Sequence, residues 1–284
     1  MWRLILLMLL ALAVGVGAAM IYGGARWKEG TDHLRARLFS ARAPIAPATY
    51  DPSEIERLPP PVQRYFRTAL TEGQRIIAVA RFTHTGTFNM GETMPSWRRF
   101  SSNQIVTTRP PGFDWNGQIR MAPGLNAFVH DAYVAGAGAL HAEFLGLVTL
   151  ADMRGTPELA QGELLRYLAE AMWYPTALLP SQGVNWTPID ETSARATLTD
   201  GATTVSLDFH FGPDGLIESS NAVARPRTVG GAVVSAPWSG RGWSNDLRDG
   251  MRIPIEAEVA WILPQGPYPY WRGRIASIEY EYAP

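Results

Sequence analysis

The sequence predicts an α+β protein: a large curved antiparallel β-sheet, a half-barrel, wrapped on one central helix, with an N-terminal transmembrane helix and a small helical cap. Three observations lead there. Most segments past Arg75 alternate apolar and polar residues at period two. Between them lies a single long two-faced helical pattern, Thr156 to Pro180. The strands number about nine to eleven, and a sheet that wide must curl, which puts the helix on the concave face.

The N-terminal stretch from Leu4 to Tyr22 carries no charge. Its length as a helix, about 28 Å, is close to the hydrocarbon thickness of a bilayer. Arg3 and the small residues Gly17-Ala18-Ala19 also fit a cleaved signal peptide. The apolar run exceeds the roughly 7 to 15 residues of a signal core, which favours a retained anchor over residues 1–25. Arg26, Lys28, Arg35 and Arg37 follow it, and counting positive charges would keep the C-terminal part in the cytoplasm. Against this stand the signal-like start and a β-rich, cysteine-free domain, so the expectation is a single-pass protein of the bacterial inner membrane with a periplasmic domain.

Residues 26–50 read as a juxtamembrane helix or linker. Trp27, Leu34 and Leu38 fall near one face among basic residues, as in a helix lying on a membrane surface, and a solvated linker fits equally. Residues 51–75 form the small helical cap. Asp51-Pro52-Ser53-Glu54 starts a short helix that Pro59 to Pro61 end, and Val62, Tyr65, Phe66, Ala69 and Leu70 mark a second.

Residues 76–284 form the curved sheet domain. The cleanest alternation sets Phe113, Trp115, Gly117, Ile119 and Met121 against Asp114, Asn116, Gln118 and Arg120, a strand with one wet face. Strands are also read at Ile76 to Phe88, Trp97 to Thr108, Ala127 to Val134, Ala139 to Leu150, Ala194 to Leu198, Thr203 to Phe211, around Ile255 to Trp261 and around Ile278 to Tyr282. Arg225, Arg227 and Arg241 interleave with Trp238 and Trp243 in a glycine-richer segment. The central helix is read over residues 157–174, with Thr156 as N-cap and Pro157 at its first position. Leu164, Leu165, Leu168, Ala171 and Met172 fall on one side; Glu163, Arg166, Tyr167, Glu170 and Tyr174 fall on the other.

Composition narrows the function classes. Twenty-five basic residues against 26 acidic ones offer no basic field for nucleic acid. The absence of cysteine excludes disulfides, thiolate metal sites and a cysteine nucleophile. His33, His84, His130, His141 and His210 form no helical ligand pair, and no nucleophile elbow, phosphate loop or dinucleotide fingerprint occurs. No catalytic residue, metal ion or cofactor is therefore assigned.

The segments LPPPVQRYF (Leu58 to Phe66), RPPGFDWNG (Arg109 to Gly117), HDAYVAGAG (His130 to Gly138), ELLRYLAEAMWYPTALLP (Glu163 to Pro180) and RIPIEAEVAW (Arg252 to Trp261) resemble an uncharacterised family of bacterial membrane-associated proteins, a domain of unknown function. The resemblance covers Asp51 to the C-terminus and implies no activity. The inferred sheet also resembles the half-barrel of periplasmic lipoprotein carriers and sigma-factor regulators, which hold acyl chains; fold alone does not transfer function.

The expected function is a membrane-anchored binding module for an apolar or amphiphilic, lipid-like ligand in a groove between sheet and helix. Arg166, Glu163, Glu170, Tyr167, Trp173, Tyr174, Trp115 and His130 are the candidate ligand-binding residues. Arg166 can pair with either glutamate. On a solvated face such pairs contribute about 0.2–0.5 kcal/mol each, whereas an enclosed Arg166 among Tyr167, Trp173 and Tyr174 would bind a carboxylate or phosphate. Two other classes stay open: an enzyme using these acids with His130 and Asp131, and an interaction scaffold of the cell envelope.

Overall fold

In the computed structural model, residues 2–91 and 94–284 are described. Their dominant element is one 13-stranded antiparallel sheet with strand order β6-β5-β4-β3-β2-β1-β13-β12-β11-β10-β9-β8-β7. The first six strands are β1 (Ile77–Asn89), β2 (Trp97–Thr107), β3 (Gly112–Ala122), β4 (Leu125–Val134), β5 (Ala137–Phe144) and β6 (Val148–Arg154). The rest follow the central helix: β7 (Asn185–Pro188), β8 (Ser193–Asp200), β9 (Thr203–Phe211), β10 (Ile217–Val229), β11 (Ala232–Arg248), β12 (Met251–Leu263) and β13 (Gly266–Tyr282). Two meanders are thus joined where the last strand pairs with the first.

The extra strands over the expected count have local causes. Ala139 to Leu150 is two strands rather than one, split at Leu145 and Gly146, both with positive φ. Leucines on both sides of that turn conceal it as a continuous apolar run. β10 and β11 together cover the glycine-richer Arg225 to Trp243 segment.

Helix α1 (Trp2–Ser40) is continuous. It includes a stretch long and apolar enough to cross a membrane, none of it covered by the rest of the chain. From Gly23 onward the same helix lies on the convex face of the sheet, with Gly23, Trp27, Thr31 and Leu38 buried at helical spacing. The apolar face read from Trp27, Leu34 and Leu38 therefore covers protein, chiefly β2 to β4. Only glycine fits under the β5–β6 turn at position 23, because a Cβ on Gly23 would collide with the Leu145 carbonyl oxygen. The apolar stretch thus passes into the domain without a flexible joint.

A 3-10 turn at Pro52–Ile55, capped by Asp51, precedes α2 (Pro60–Ala69). The prolines start α2, where a missing N–H costs nothing, as well as ending the turn before it. Tyr65 and Phe66 of α2 pack on Phe211 and Trp186 and close one end of the half-barrel. Helix α3 (Pro157–Glu170) crosses the concave face, touching β3, β4 and β5 on one side and β9 and β10 on the other. Thr156 caps it by accepting from the Leu159 amide. It is shorter than the expected 157–174: 3-10 turns take over from Ala171, bringing Thr176 to accept the Ile77 amide and Tyr280 to donate to the Trp173 carbonyl.

Candidate functional site

Both sides of α3 are enclosed. Leu164, Leu165 and Leu168 enter the main core, while Glu163, Arg166 and Glu170 face a cavity of about 770 Å³ between helix and sheet. Arg166 is the best-satisfied group on that wall. Its Nε donates to Glu170 Oε1 at 2.7 Å and its Nη1 to Asp131 Oδ2 at 2.6 Å. Gln104 Nε2 donates to the other Glu170 oxygen at 2.6 Å. The guanidinium carbon lies 4.9 Å from the Phe113 ring centre and 5.5 Å from that of Trp115. Burial opposes the charge on Arg166, but Glu170 and Asp131 outweigh it and hold the group protonated.

Glu163 is not in this bridge, although it shares the helix face. It is buried, its Oε2 has no hydrogen-bond partner among the described residues, and burial followed by the charge of Asp131 pushes its carboxyl well above the ordinary value of 4.5. Its carboxyl therefore holds a proton more tightly than a free glutamate does.

The remaining wall is aromatic. Trp115, Trp173, Trp238, Trp261, Tyr270 and Trp271 line the cavity with Phe88 and Ile119. The Trp261 and Tyr270 rings stack at 5.7 Å, and Trp238 Nε1 donates to the Tyr270 hydroxyl at 2.9 Å. Arg225 lies among these rings, 5.0 Å from the centre of Trp238 and 5.6 Å from that of Trp261.

Of the eight residues singled out by sequence, Arg166, Glu163, Glu170, Trp173 and Trp115 line this cavity. Tyr167 and Tyr174 do not. They are buried behind α3, where the Tyr174 hydroxyl donates to the Tyr167 carbonyl at 2.6 Å, so the neighbours of Arg166 are Phe113 and Trp115 instead of Tyr167 and Tyr174. His130 lies on the opposite, convex face. Its Nδ1 is 2.7 Å from Asp114 Oδ1, its Nε2 is 2.9 Å from the Thr31 hydroxyl, and Trp27 stacks on it at 4.5 Å. His130 and Asp131, adjacent on β4, project to opposite faces and do not meet. Asp114 and Asn116 are not on a wet face: α1 covers them, Arg35 Nε donating to Asp114 at 2.6 Å and Trp27 Nε1 to Asn116 at 3.0 Å.

Sequence reading missed Arg225, Trp271 and Tyr270 as parts of the groove. The interleaving of Arg225 and Arg227 with Trp238 was the available signal, but it did not distinguish the inner from the outer face. Among the described residues no cluster of three or more His, Cys, Asp or Glu is arranged to hold a metal ion.

Residues 56–280 match DUF6920, a family of unknown function. The chain belongs to that family. The five motifs that carried the resemblance, from Leu58 to Trp261, all lie within the matched span. No curated protein matches the chain by sequence. Among solved structures, the chain is similar to a DUF1329 family protein from Desulfovibrio piger at 11% identity, over 72% of this chain and 86% of that one, with a TM-score of 0.39. It is also similar to a LolA superfamily protein from Nitrosomonas europaea at 10% identity, over 72% of this chain and 87% of that one, with a TM-score of 0.32.

Proposed function

We propose that the chain is a membrane-anchored binding module for an apolar or amphiphilic, lipid-like ligand, held in the groove between α3 and the concave face of the sheet. The observation that carries this reading is the cavity of about 770 Å³, walled by tryptophans and aliphatic side chains with a few buried polar groups. That combination of size, apolar lining and sparse convergent polar atoms is the usual make-up of a small-molecule site. α1 supports the membrane half of the proposal. Its apolar stretch ends where Gly23 docks under the β5–β6 turn, and Arg26 three residues on donates to Glu143 at 2.5 Å and to the Gly146 carbonyl at 3.1 Å. A domain held so closely to its span stands at the bilayer surface, the source of such ligands.

The test uses the full-length chain in lipid nanodiscs with a diazirine-bearing hexadecanol as probe. Labelling should map to peptides lining the cavity and should fall in Gly162→Phe, where the added side chain enters the groove with no atom nearer its Cβ than the Pro226 carbonyl at 3.8 Å. Labelling confined to Leu4 to Tyr22 would remove the groove from consideration. We further propose that the sheet domain is periplasmic and the chain single-pass in the bacterial inner membrane; a compartment-specific reporter fused after Pro284 and active only in the cytoplasm would reverse that orientation.

A further inference from the structure

The bases in the groove are not equivalent. Arg166 is held by two carboxylates, Asp131 and Glu170, and Arg154 at the groove edge is held by Asp152 at 2.5 Å. Arg225 is only 7% exposed, yet among the described residues no carboxylate oxygen lies within 4.0 Å of it. Its Nη1 donates to the Tyr270 hydroxyl at 3.0 Å, and its Nε has no partner. A guanidinium carries five N–H donors and stays charged, so this one brings unused donors and an unmatched cation into the cavity wall.

The backbone positions it there deliberately. β10 pairs Ala222 with Trp238 and Arg225 with Ala236, so three residues on β10 span two on β11. The extra residue reverses the alternation: Val223 and Ala224 are both exposed, and Arg225 shares the concave face with Ala222 and Ser220. Without that bulge the inward residue would be Ala224. Arg227, two residues on, follows Arg225 into the cavity lining, its guanidinium carbon 4.9 Å from the centre of the Trp261 ring. The acids that act on Arg225 through space are Glu163, whose carboxyl burial pushes well above its ordinary value, and Asp131, which already accepts from Arg166. The groove therefore offers, beside the bridged Arg166, a buried cation with no carboxylate oxygen within 4.0 Å among the described residues, and aromatic walls for whatever is attached to an incoming anion.

We infer that Arg225 is an anion clamp, taking the oxyanion head group, carboxylate or phosphate, of a single-chain amphiphile whose apolar tail lies along Trp238, Trp261 and Trp271. This deepens the groove reading above and rests on it. Planar forked donors suit both oxyanions, and the low polarity around Arg225 strengthens each bond made there.

The experiment compares three photoprobes and two competitors on the full-length chain in nanodiscs. Diazirine-bearing hexadecanoic acid, hexadecanol and hexadecylamine are crosslinked at equal concentration, and labelled cavity peptides are quantified by mass spectrometry. The acid should label about tenfold more than the alcohol, the factor expected from one hydrogen bond to a charged group. Arg225→Met should bring the two to parity through a roughly tenfold loss of acid labelling, and Arg225→Lys should recover only part of the preference because the fork is lost. Because Arg225→Met strands no bonded carboxylate, the variant should keep the thermal midpoint of the parent. Hexadecyl phosphate should compete with the acid, and inorganic phosphate at the same concentration should not. Equal labelling by acid and alcohol, a preference for the amine, a preference that survives in Arg225→Met, or competition by inorganic phosphate alone would each overturn the clamp while the groove still bound the alcohol. Failure of all the lipid probes to label the cavity would instead remove the binding module itself.

Discussion

His130 and Asp131 are consecutive on β4, and the two faces of the sheet treat their polar groups in opposite ways. On the convex face, under α1, charges and rings are matched except at His141, whose Nδ1 has no hydrogen-bond partner among the described residues. Asp114 is fully buried, with one oxygen on Arg35 and the other on His130, while Glu143 takes both its bonds from Arg26. On the concave face, around α3, the groups are unevenly served. Arg166 is doubly bridged, whereas Asp131 Oδ1, Glu163 Oε2, Arg225 Nε and the indole nitrogens of Trp115 and Trp173 have no partner among the described residues. Buried polar groups are ordinarily paired, because an unmade bond costs about 1–3 kcal/mol. A nearly complete network fits a permanent dock between helix and sheet. A network with spare donors and acceptors beside a large cavity fits a surface completed by something else.

The strongest way to break this contrast is to remove the one bridge that stabilises the groove. Arg166→Ala leaves Asp131 and Glu170 enclosed without their cation, and the full-length protein should lose about 3–5 kcal/mol in urea unfolding. Arg166→Lys should not restore it, since one ammonium cannot reproduce the fork. A variant as stable as the parent would mean that this wall is solvated.

On the convex face, Asp114→Ala should cost less, about 1.5–3 kcal/mol, because Arg35 is partly exposed and can turn to water. Its particular mark should be release of α1 from the sheet, read as faster proteolysis between residues 23 and 40, with hexadecanol labelling of the groove unchanged. If labelling falls together with the dock, the two faces are not independent.

A smaller effect sharpens the comparison through pH. Glu163 binds its proton more tightly in the folded protein than in the unfolded chain, so raising the pH above about 4.5 favours unfolding until the folded group ionises. Glu163→Gln removes that penalty. The stability of the parent relative to the variant should therefore decline with rising pH from 4.5 upward, by at most about 1.4 kcal/mol per pH unit. A difference that stays flat from pH 4.5 to 8 would show that Glu163 is ordinarily ionised. His84, behind Arg166, gives the opposite branch: burial, then the Arg166 charge, lowers it to about 3. As pH falls below 6.5 the unfolded chain takes up a proton that the folded protein refuses, so stability is lost down to about pH 3. His84→Leu should flatten that acid branch in the same unfolding series.

The sequence by itself determined the elements whose signals are local. Thr156 and Pro157 set the start of α3, and the alternation in β3 assigned Trp115 and Asp114 to opposite faces. Leu4 to Tyr22 declared its apolar length, and the five motifs led to the family. Even the two-sidedness of α3 was readable, so Arg166, Glu163 and Glu170 were named together. Only the tertiary structure decided what each face meets. Period-two alternation separates faces without saying whether the polar one sees water or a second polar surface, and α1 turned Asp114 and His130 into buried groups. Helical spacing puts two glutamates within reach of Arg166, yet Asp131, 35 residues away on β4, takes the place of Glu163. Arg225 was hidden most deeply, because a β-bulge is a mismatch in length between paired strands and leaves no periodicity in either one alone. Inward or outward, for that arginine, is settled by the partner strand.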